Sequence, residues 1–174
     1  AVQQAAEALA RGELLGMPTE TVYGLAADAD DDAAVAQIFA AKGRPTNHPL
    51  IVHLADADSI RRYAKEVPVF AQKLIDAFWP GPLTVILSRL PQAAKASTGG
   101  QDSVGLRCPS HPVAHALLLA CQTLDKPVWG VAAPSANKFG RVSPTTAAHV
   151  ASEFGDDLLV LDGGACEVGI ESTI

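Results

Sequence analysis

Charged and hydroxyl-bearing residues gather in five short segments of the sequence, each next to the predicted end of a helix or strand. The segments are PTETVYGL at 18–25, KGRP at 42–45, SVGLRCP at 103–109, APSAN at 133–137 with SPT at 143–145, and GG at 163–164 with GIEST at 169–173. Taken singly, each is consistent with an ordinary turn. Together they supply cations and neutral hydrogen-bond donors but few general bases, a set of groups that suits a polyphosphate beside a small carboxylate.

The positions and side-chain shapes of the cationic residues favour anion binding. Gly43 and Pro45 favour a turn that would direct Lys42 and its neighbour Arg44 towards one anion, although cations at a helix C-terminus are also favoured by the helix dipole alone. Arg107 ends an apolar strand, and a guanidinium holds a carboxylate through two parallel hydrogen bonds, which an ammonium cannot do. Neither a G-x-x-x-x-G-K-[ST] phosphate loop nor a strand-linked G-x-G-x-x-G is present.

Alternating helical and extended patterns, without an internal repeat, predict an α/β or α+β fold with one open sheet. Helices are predicted over 2–10, 33–42, 58–63, 69–78, 112–124 and 144–154, and strands over 13–17, 49–54, 83–88, 104–107, 128–133 and 158–161. Segment 92–103 is rich in Gly, Ser and Thr and is predicted to be a mobile surface loop, with 97–103 as a candidate lid. Ligands in such sheets bind where loops leave the strand ends.

Composition excludes several classes of protein. The 174 residues are 48% hydrophobic and 18% charged, which suits one folded domain with a buried core. The net charge of −6 argues against a protein whose whole surface binds nucleic acid. Cys108, Cys121 and Cys166 are widely spaced and support neither a disulfide framework nor a zinc site, so we expect a reducing, cytoplasmic setting. We expect neither a signal peptide nor a membrane span.

The sequence resembles the YrdC family of threonylcarbamoyl-AMP synthases over nearly its whole length. Six segments carry the resemblance in the family's order and approximate spacing: PTETVYGLAADA, KGRPTNHPLIVH, FWPGPLTVIL, VGLRCPSHP, APSANKFGRVSPT and GIESTI. The resemblance implies a twisted open mixed sheet, flanked by helices, with a concave cationic cavity. It also implies synthesis of L-threonylcarbamoyladenylate and pyrophosphate from L-threonine, bicarbonate and ATP with Mg2+. The adenylate would pass to the tRNA threonylcarbamoyl-transfer machinery, which forms N6-threonylcarbamoyladenosine at position 37 of tRNA.

The same resemblance implies site residues. Lys42 and Arg44 are the implied catalytic cations. The implied ATP contacts are Lys42, Arg44, His48, Ser103, Ser135, Asn137 and Ser143. The implied threonine contacts are Thr21, His53, Arg107, the backbone of Ala133, and Ser172. No protein ligand for a metal is implied, because Mg2+ is expected to arrive with the ATP phosphates.

Several alternatives stay open at this point. His53 alternates within PLIVHL and is also consistent with a core histidine. The same cations would suit a non-catalytic module that binds double-stranded RNA or tRNA, although the sequence lacks a basic stripe with interleaved aromatics. A carbamoyl-transfer domain like that of hydrogenase maturation factors and a weakly active YciO-like paralogue are further alternatives. Because the family's domain continues beyond ESTI, we also expect 1–174 to be a YrdC-like domain truncated at its C-terminal end.

Overall fold

Seven short strands form one mixed sheet in the computed structural model, which describes residues 1–138, 142–155 and 157–166. In chain order the strands are β1 (Leu15–Met17), β2 (Gly24–Asp28), β3 (Ile51–His53), β4 (Thr84–Ser88), β5 (Ser103–Arg107), β6 (Val131–Ala132) and β7 (Leu159–Val160). Their order across the sheet is β4-β5-β3-β6-β2-β1-β7. β3 runs parallel to β5 and β1 runs parallel to β7, whereas the other neighbours are antiparallel.

Helices cover both faces of this sheet. They are α1 (Val2–Ala10), α2 (Asp32–Lys42), a 3-10 helix (Ala57–Arg62), α3 (Val69–Phe78), α4 (Pro112–Gln122) and α5 (Ala147–Phe154). The buried side chains of α1 and α4 form one core cluster, and those of α2, α3 and α5 form the other. Successive residues of β2 divide between the clusters, because Ala26 belongs to the first while Leu25 and Ala27 belong to the second. The sheet is therefore buried on both sides.

The predicted fold class, an open mixed sheet flanked by helices, is confirmed. α1 and α3 begin and end at the predicted residues. The helix predicted over 144–154 begins only at Ala147, because the side chain of Thr146 caps it by accepting from the His149 amide at 3.2 Å. Within the described ranges, no helix is long and apolar enough to cross a bilayer.

The prediction of a surface loop over 92–103 is wrong for the middle of that segment. Ser97 and Thr98 are fully buried. The hydroxyl of Ser97 donates to the carbonyl of Ala29 at 2.9 Å, and the amide of Leu50 donates to the carbonyl of Ser97 at 2.6 Å. Residues 97 and 98 are thus part of the core beside the start of β3. These contacts do not support the prediction that 97–103 acts as a lid.

We expect Ser97→Ala to lower the free energy of unfolding by about 1–3 kcal/mol, because the buried carbonyl of Ala29 would lose its donor. Ser152→Ala is the matched control, since the exposed hydroxyl of Ser152 bonds within its own helix, and we expect a change below about 0.5 kcal/mol. Urea titration of both variants measures the difference. Equal small changes would show that the hydroxyl of Ser97 does not anchor the segment.

Candidate functional site

A cavity of about 210 Å³ runs along β3, from the segment before that strand to the ends of β3 and β5, and the loops before β2 and after β6 also line it. Six of the predicted site residues line it: Thr21, Arg44, His53, Arg107, Ala133 and Ser135. Pockets for drug-sized ligands usually measure about 300–1,000 Å³. The enclosed space therefore suits a molecule of amino-acid size, and a larger ligand would extend beyond it.

The two arginines mark the two ends of this cavity. The parallel register of β3 and β5 places His53 opposite Arg107, and we call this the His53 end. Arg44 lies at the other end, where its Nη2 donates to the carbonyl of Pro49 at 2.9 Å, and we call this the Arg44 end. Gly43 allows Arg44 to reach this end of the cavity. Its left-handed conformation (φ 69°) ends α2 and changes the direction of the backbone.

The loop after β6 forms one wall, and Lys42 supports that wall. Lys42 is 4% exposed, and its Nζ donates to the carbonyls of Ser135 at 2.7 Å and Asn137 at 2.6 Å. Gly24 allows the loop to approach β2 closely, since a Cβ there would lie 3.0 Å from the Cβ of Ala133. Lys42 therefore shapes the cavity from outside its lining. Its implied contact with phosphate stays a prediction.

The remaining predicted residues lie outside the lining. These are Lys42, His48, Ser103, Asn137 and Ser143. Ser103 begins β5 and so lies about 13 Å from Arg107 along an extended strand, towards the Arg44 end. Ser143 precedes Pro144, whose carbonyl accepts from the amide of Tyr23 at 2.9 Å. Ser172 lies outside the described residues.

Arg107 is held from three directions before any ligand arrives. Its Nη2 forms an ion pair with Oε1 of Glu20, its Nη1 donates to Oγ1 of Thr21 at 3.2 Å, and its Nε donates to the carbonyl of Gly81 at 3.3 Å. The second carboxylate oxygen of Glu20 accepts from the amide and the hydroxyl of Ser110 at 2.8 and 2.6 Å. Arg107 is 4% exposed and Glu20 is 7% exposed. The orientation of the guanidinium is therefore fixed by its neighbours.

Thr19 shapes the short loop that carries Glu20 and Thr21. Its Oγ1 accepts from the amides of Thr21 and Val22 at 3.3 and 3.2 Å and donates to the carbonyl of Val22 at 2.6 Å. This is the ordinary Ser/Thr turn that the hydroxyl-rich composition also predicts. The turn and the predicted ligand site therefore involve different residues of this segment: Thr19 satisfies the backbone, while Thr21 contacts Arg107.

The charges at the His53 end balance. Burial, together with the charge of Arg107, lowers the pKa of His53 to about 3, so its imidazole is neutral. Burial alone would raise the pKa of Glu20, but the hydrogen bonds from Ser110 and the charge of Arg107 outweigh it and lower that pKa. Glu20 is therefore ionised and neutralises Arg107. Nδ1 of His53 is buried and has no hydrogen-bond partner within the described residues.

The Arg44 end carries a positive charge. Burial lowers the pKa of Arg44, and its Nε is buried without a hydrogen-bond partner among the described residues. The salt bridges found in the described ranges are Arg11–Glu13 and Arg107–Glu20, so no carboxylate there neutralises Arg44. The concave cationic cavity that the family resemblance implies stays a prediction; among the described residues, Arg44 is the lining cation without a carboxylate partner.

The described residues offer no ready-made metal site. In residues 1–138, 142–155 and 157–166, no group of three or more His, Cys, Asp or Glu side chains is arranged to hold a metal ion. Among these residues the carboxylate at the His53 end is that of Glu20, and both of its oxygens already accept hydrogen bonds. The expected arrival of Mg2+ with the ATP phosphates stays a prediction.

Glu20 and Ser110 are two residues that position Arg107 and that the sequence analysis did not assign to the site. Both lie in segments singled out for other residues, PTETVYGL and the CPSHP that follows Arg107. A usable signal was available: an arginine at the end of a fully apolar strand requires a counter-charge when buried. Glu20 is the acidic residue of the hydroxyl-rich segment expected at the same strand ends.

We expect neutral His53 to give the protein a specific pH dependence. An unfolded histidine is protonated below a pKa of 6.5, whereas folded His53 stays neutral down to a pKa of about 3. The stability that the neutral ring supplies is therefore complete above pH 6.5 and is lost as the pH falls towards 3. Between pH 6.5 and pH 5 the wild type should lose about 1.6 kcal/mol more than His53→Gln, because the unfolded histidine is already half protonated at pH 6.5 and the full slope of about 1.4 kcal/mol per pH unit applies only well below that pH.

Denaturant unfolding at the two pH values measures this difference. Burial raises the pKa of Asp28 to about 6, which acts in the opposite direction, but Asp28 is present in both proteins and cancels. Identical losses in wild type and variant would contradict a neutral, buried His53.

Comparisons with known proteins find relatives over nearly the whole chain. The family model Sua5/YciO/YrdC, described as "Telomere recombination", matches residues 7–174. A threonylcarbamoyl-AMP synthase of Pyrococcus abyssi (strain GE5 / Orsay) is 44% identical over 174 residues, which cover 99% of this chain and 49% of the relative. The threonylcarbamoyl-AMP synthase of Bacillus subtilis (strain 168) is 43% identical over 175 residues, with the same two coverages of 99% and 49%. The chain thus spans about half the length of these relatives.

Solved structures share the fold. The crystal structure of P. abyssi Sua5 complexed with L-threonine matches with a TM-score of 0.92 and 43% identity, over 98% of this chain and 49% of that one. E. coli YciO (TM-score 0.80, 22% identity, 95% and 78% covered) and nucleotide-bound HypF (TM-score 0.81, 20% identity, 97% and 26% covered) show the fold alone. From the family match and the two relatives at 43–44% identity, the chain belongs to the Sua5/YciO/YrdC family.

Proposed function

We propose that this chain is a threonylcarbamoyl-AMP synthase, which joins L-threonine, bicarbonate and ATP into L-threonylcarbamoyladenylate with release of pyrophosphate. Relatives at 43–44% identity carry that name, and one related structure at 43% identity is described as complexed with L-threonine. The observation that carries the proposal is that Arg44 and Arg107 line one cavity. The proposal includes a cytoplasmic location and delivery of the adenylate to the proteins that modify tRNA.

The His53 end is the proposed threonine site. Arg107 would hold the carboxylate, and its fixed orientation means that little ordering is needed on binding. The hydroxyl of Thr21 and the unpartnered Nδ1 of His53 would complete the polar contacts, beside the backbone of Ala133. Ser172 stays a predicted contact. A cavity of about 210 Å³ has room for an amino acid here.

The Arg44 end is the proposed nucleotide site. The uncompensated charge of Arg44 and its unpartnered Nε suit a phosphate, and Ser135 lines the same space. Lys42 would act partly by holding the carbonyls of Ser135 and Asn137, which fixes this wall. Contacts from His48, Ser103 and Ser143 to ATP stay predictions. Mg2+ would enter with the phosphates.

The chemistry of this reaction needs positioning more than proton transfer. The threonine nitrogen forms a bond to the carbon of bicarbonate, with release of water and a proton, and gives a carbamate. A carbamate oxygen then bonds to the α-phosphorus of ATP as the bond from that phosphorus to the bridging β-phosphate oxygen breaks, and pyrophosphate leaves. The carbamate is already an anionic nucleophile, so the second step needs no strong general base. Aligning two bound reactants commonly supplies a large part of such a rate enhancement.

The alternatives receive less support from the same observations. A carbamoyl-transfer domain rests on the likeness to HypF, which at 20% identity concerns the fold. A module that only binds RNA would not require a neutralised arginine beside a neutral histidine in an enclosed space. A gel shift with tRNA tests that module, since strong, length-dependent binding in moderate salt would favour it.

Pyrophosphate release tests the proposed function directly. We expect the full chain to release pyrophosphate from ATP only when L-threonine and bicarbonate are both present. Omitting each in turn provides the controls, and mass spectrometry identifies the adenylate. Release that is independent of either co-substrate would contradict the proposed reaction.

Variants of the two arginines test whether the two ends of the cavity bind different substrates. We expect Arg107→Lys to raise the KM for threonine at least about tenfold, because it keeps the charge opposite Glu20 but loses the bidentate fork. Arg44→Ala should raise the KM for ATP by a similar factor and leave that for threonine within about twofold. Arg11→Ala, at an exposed arginine far from the lining, is the control. If either variant changed both KM values equally, the assignment of the two ends would be wrong.

A further inference from the structure

Among the described residues, the charges at the His53 end sum to zero although the end contains an arginine. Glu20 pairs with Arg107, both side chains are at most 9% exposed, and His53 beside them is neutral. A buried arginine without that partner would attract any small anion, including phosphate, bicarbonate and every simple carboxylate. Bicarbonate and the ATP phosphates would then compete with threonine for the wrong end of the cavity.

Electrostatics favour a ligand that is itself neutral overall. Bringing an uncompensated charge into a buried site is strongly unfavourable unless an opposite charge is free to balance it. The charge of Arg107 is already balanced by Glu20. An amino acid brings a carboxylate and an ammonium together and so adds no net charge, whereas the same carbon skeleton without its amine adds one negative charge.

The geometry gives Glu20 no direct contact role. One carboxylate oxygen faces Arg107, and the other accepts from the amide and the hydroxyl of Ser110. Glu20 is also absent from the cavity lining, whereas Arg107 belongs to it. Any influence of Glu20 on a ligand therefore acts through the charge and the position of Arg107.

We propose, resting on the function proposed above, that Glu20 is a positioning residue that sets specificity: by balancing Arg107, it makes the His53 end select a zwitterionic amino acid over simple anions. The Arg44 end, where no described carboxylate offsets the charge, then receives the anionic substrates. Glu20 thereby sorts the three substrates between two arginines that would otherwise both bind anions.

Calorimetry on the full chain without ATP tests this proposal. The probes are L-threonine, 3-hydroxybutyrate, which is threonine without its amine, and inorganic phosphate. The wild type should prefer threonine to 3-hydroxybutyrate, and phosphate should not displace threonine. In Glu20→Gln, which keeps the shape of the side chain and removes its charge, the ratio of the threonine affinity to the 3-hydroxybutyrate affinity should fall at least about tenfold, equivalent to about 1.4 kcal/mol, because the anion gains more from the uncompensated Arg107 than the zwitterion does.

Two further variants separate charge from shape. Glu20→Asp keeps the charge and should retain most of the preference. Ser110→Ala removes the hydroxyl that Glu20 accepts from but leaves the ion pair, so the ratio of the two affinities should be unchanged even where both fall. Parallel weakening of both ligands in Glu20→Gln would mean that Glu20 only supports the fold, and would overturn the proposal.

The wild type alone keeps the proposal testable if Glu20→Gln does not fold. Binding of 3-hydroxybutyrate as tightly as threonine, or displacement of threonine by phosphate, would overturn it without any variant. An absence of threonine binding by the wild type would instead contradict the proposed function. The two failures are therefore distinguishable.

Discussion

The parallel pairing of β3 with β5 is the constraint on which the rest of the site depends. Its register places His53 opposite Arg107 at one end, and it extends both strands back towards Pro49 and Arg44 at the other. Strands this short have few ladder hydrogen bonds of their own, so the register relies on the helices that bury both faces of the sheet. The position of the chemistry is thus a property of the whole core rather than of one loop.

The two ends of the cavity differ in net charge. At one end the ion pair of Arg107 with Glu20 and the neutral ring of His53 leave no net charge. At the other end Arg44 is half-buried, with a buried Nε that lacks a partner among the described residues. Among the described residues, one end of the cavity is therefore electrically balanced and the other carries an uncompensated arginine. The proposed joining of an amino acid to a nucleotide would use this difference.

The sequence predicted the architecture better than it predicted which side chains face each other. The apolar periodicity of α1 and α3 was sufficient to place their ends, and six of the predicted site residues share the cavity. The hydroxyls of 97–98 suggested solvent, but they satisfy buried carbonyls, a distinction that depends on tertiary packing. Lys42 and Arg44 are two residues apart, yet Lys42 binds a loop wall while Arg44 lines the cavity, because the left-handed turn at Gly43 separates them.

The ammonium of Lys42 links the last turn of α2 to the loop after β6, so protein engineering should treat these two segments together. Its Nζ reaches a segment that is distant in the sequence and donates to the carbonyls of Ser135 and Asn137 and to the side-chain oxygen of Asn137, so the position of the loop depends on the lysine. A chimera that exchanges one segment without the other must therefore keep a side chain as long as lysine at position 42. Segment exchange between relatives should succeed when both pieces come from the same parent.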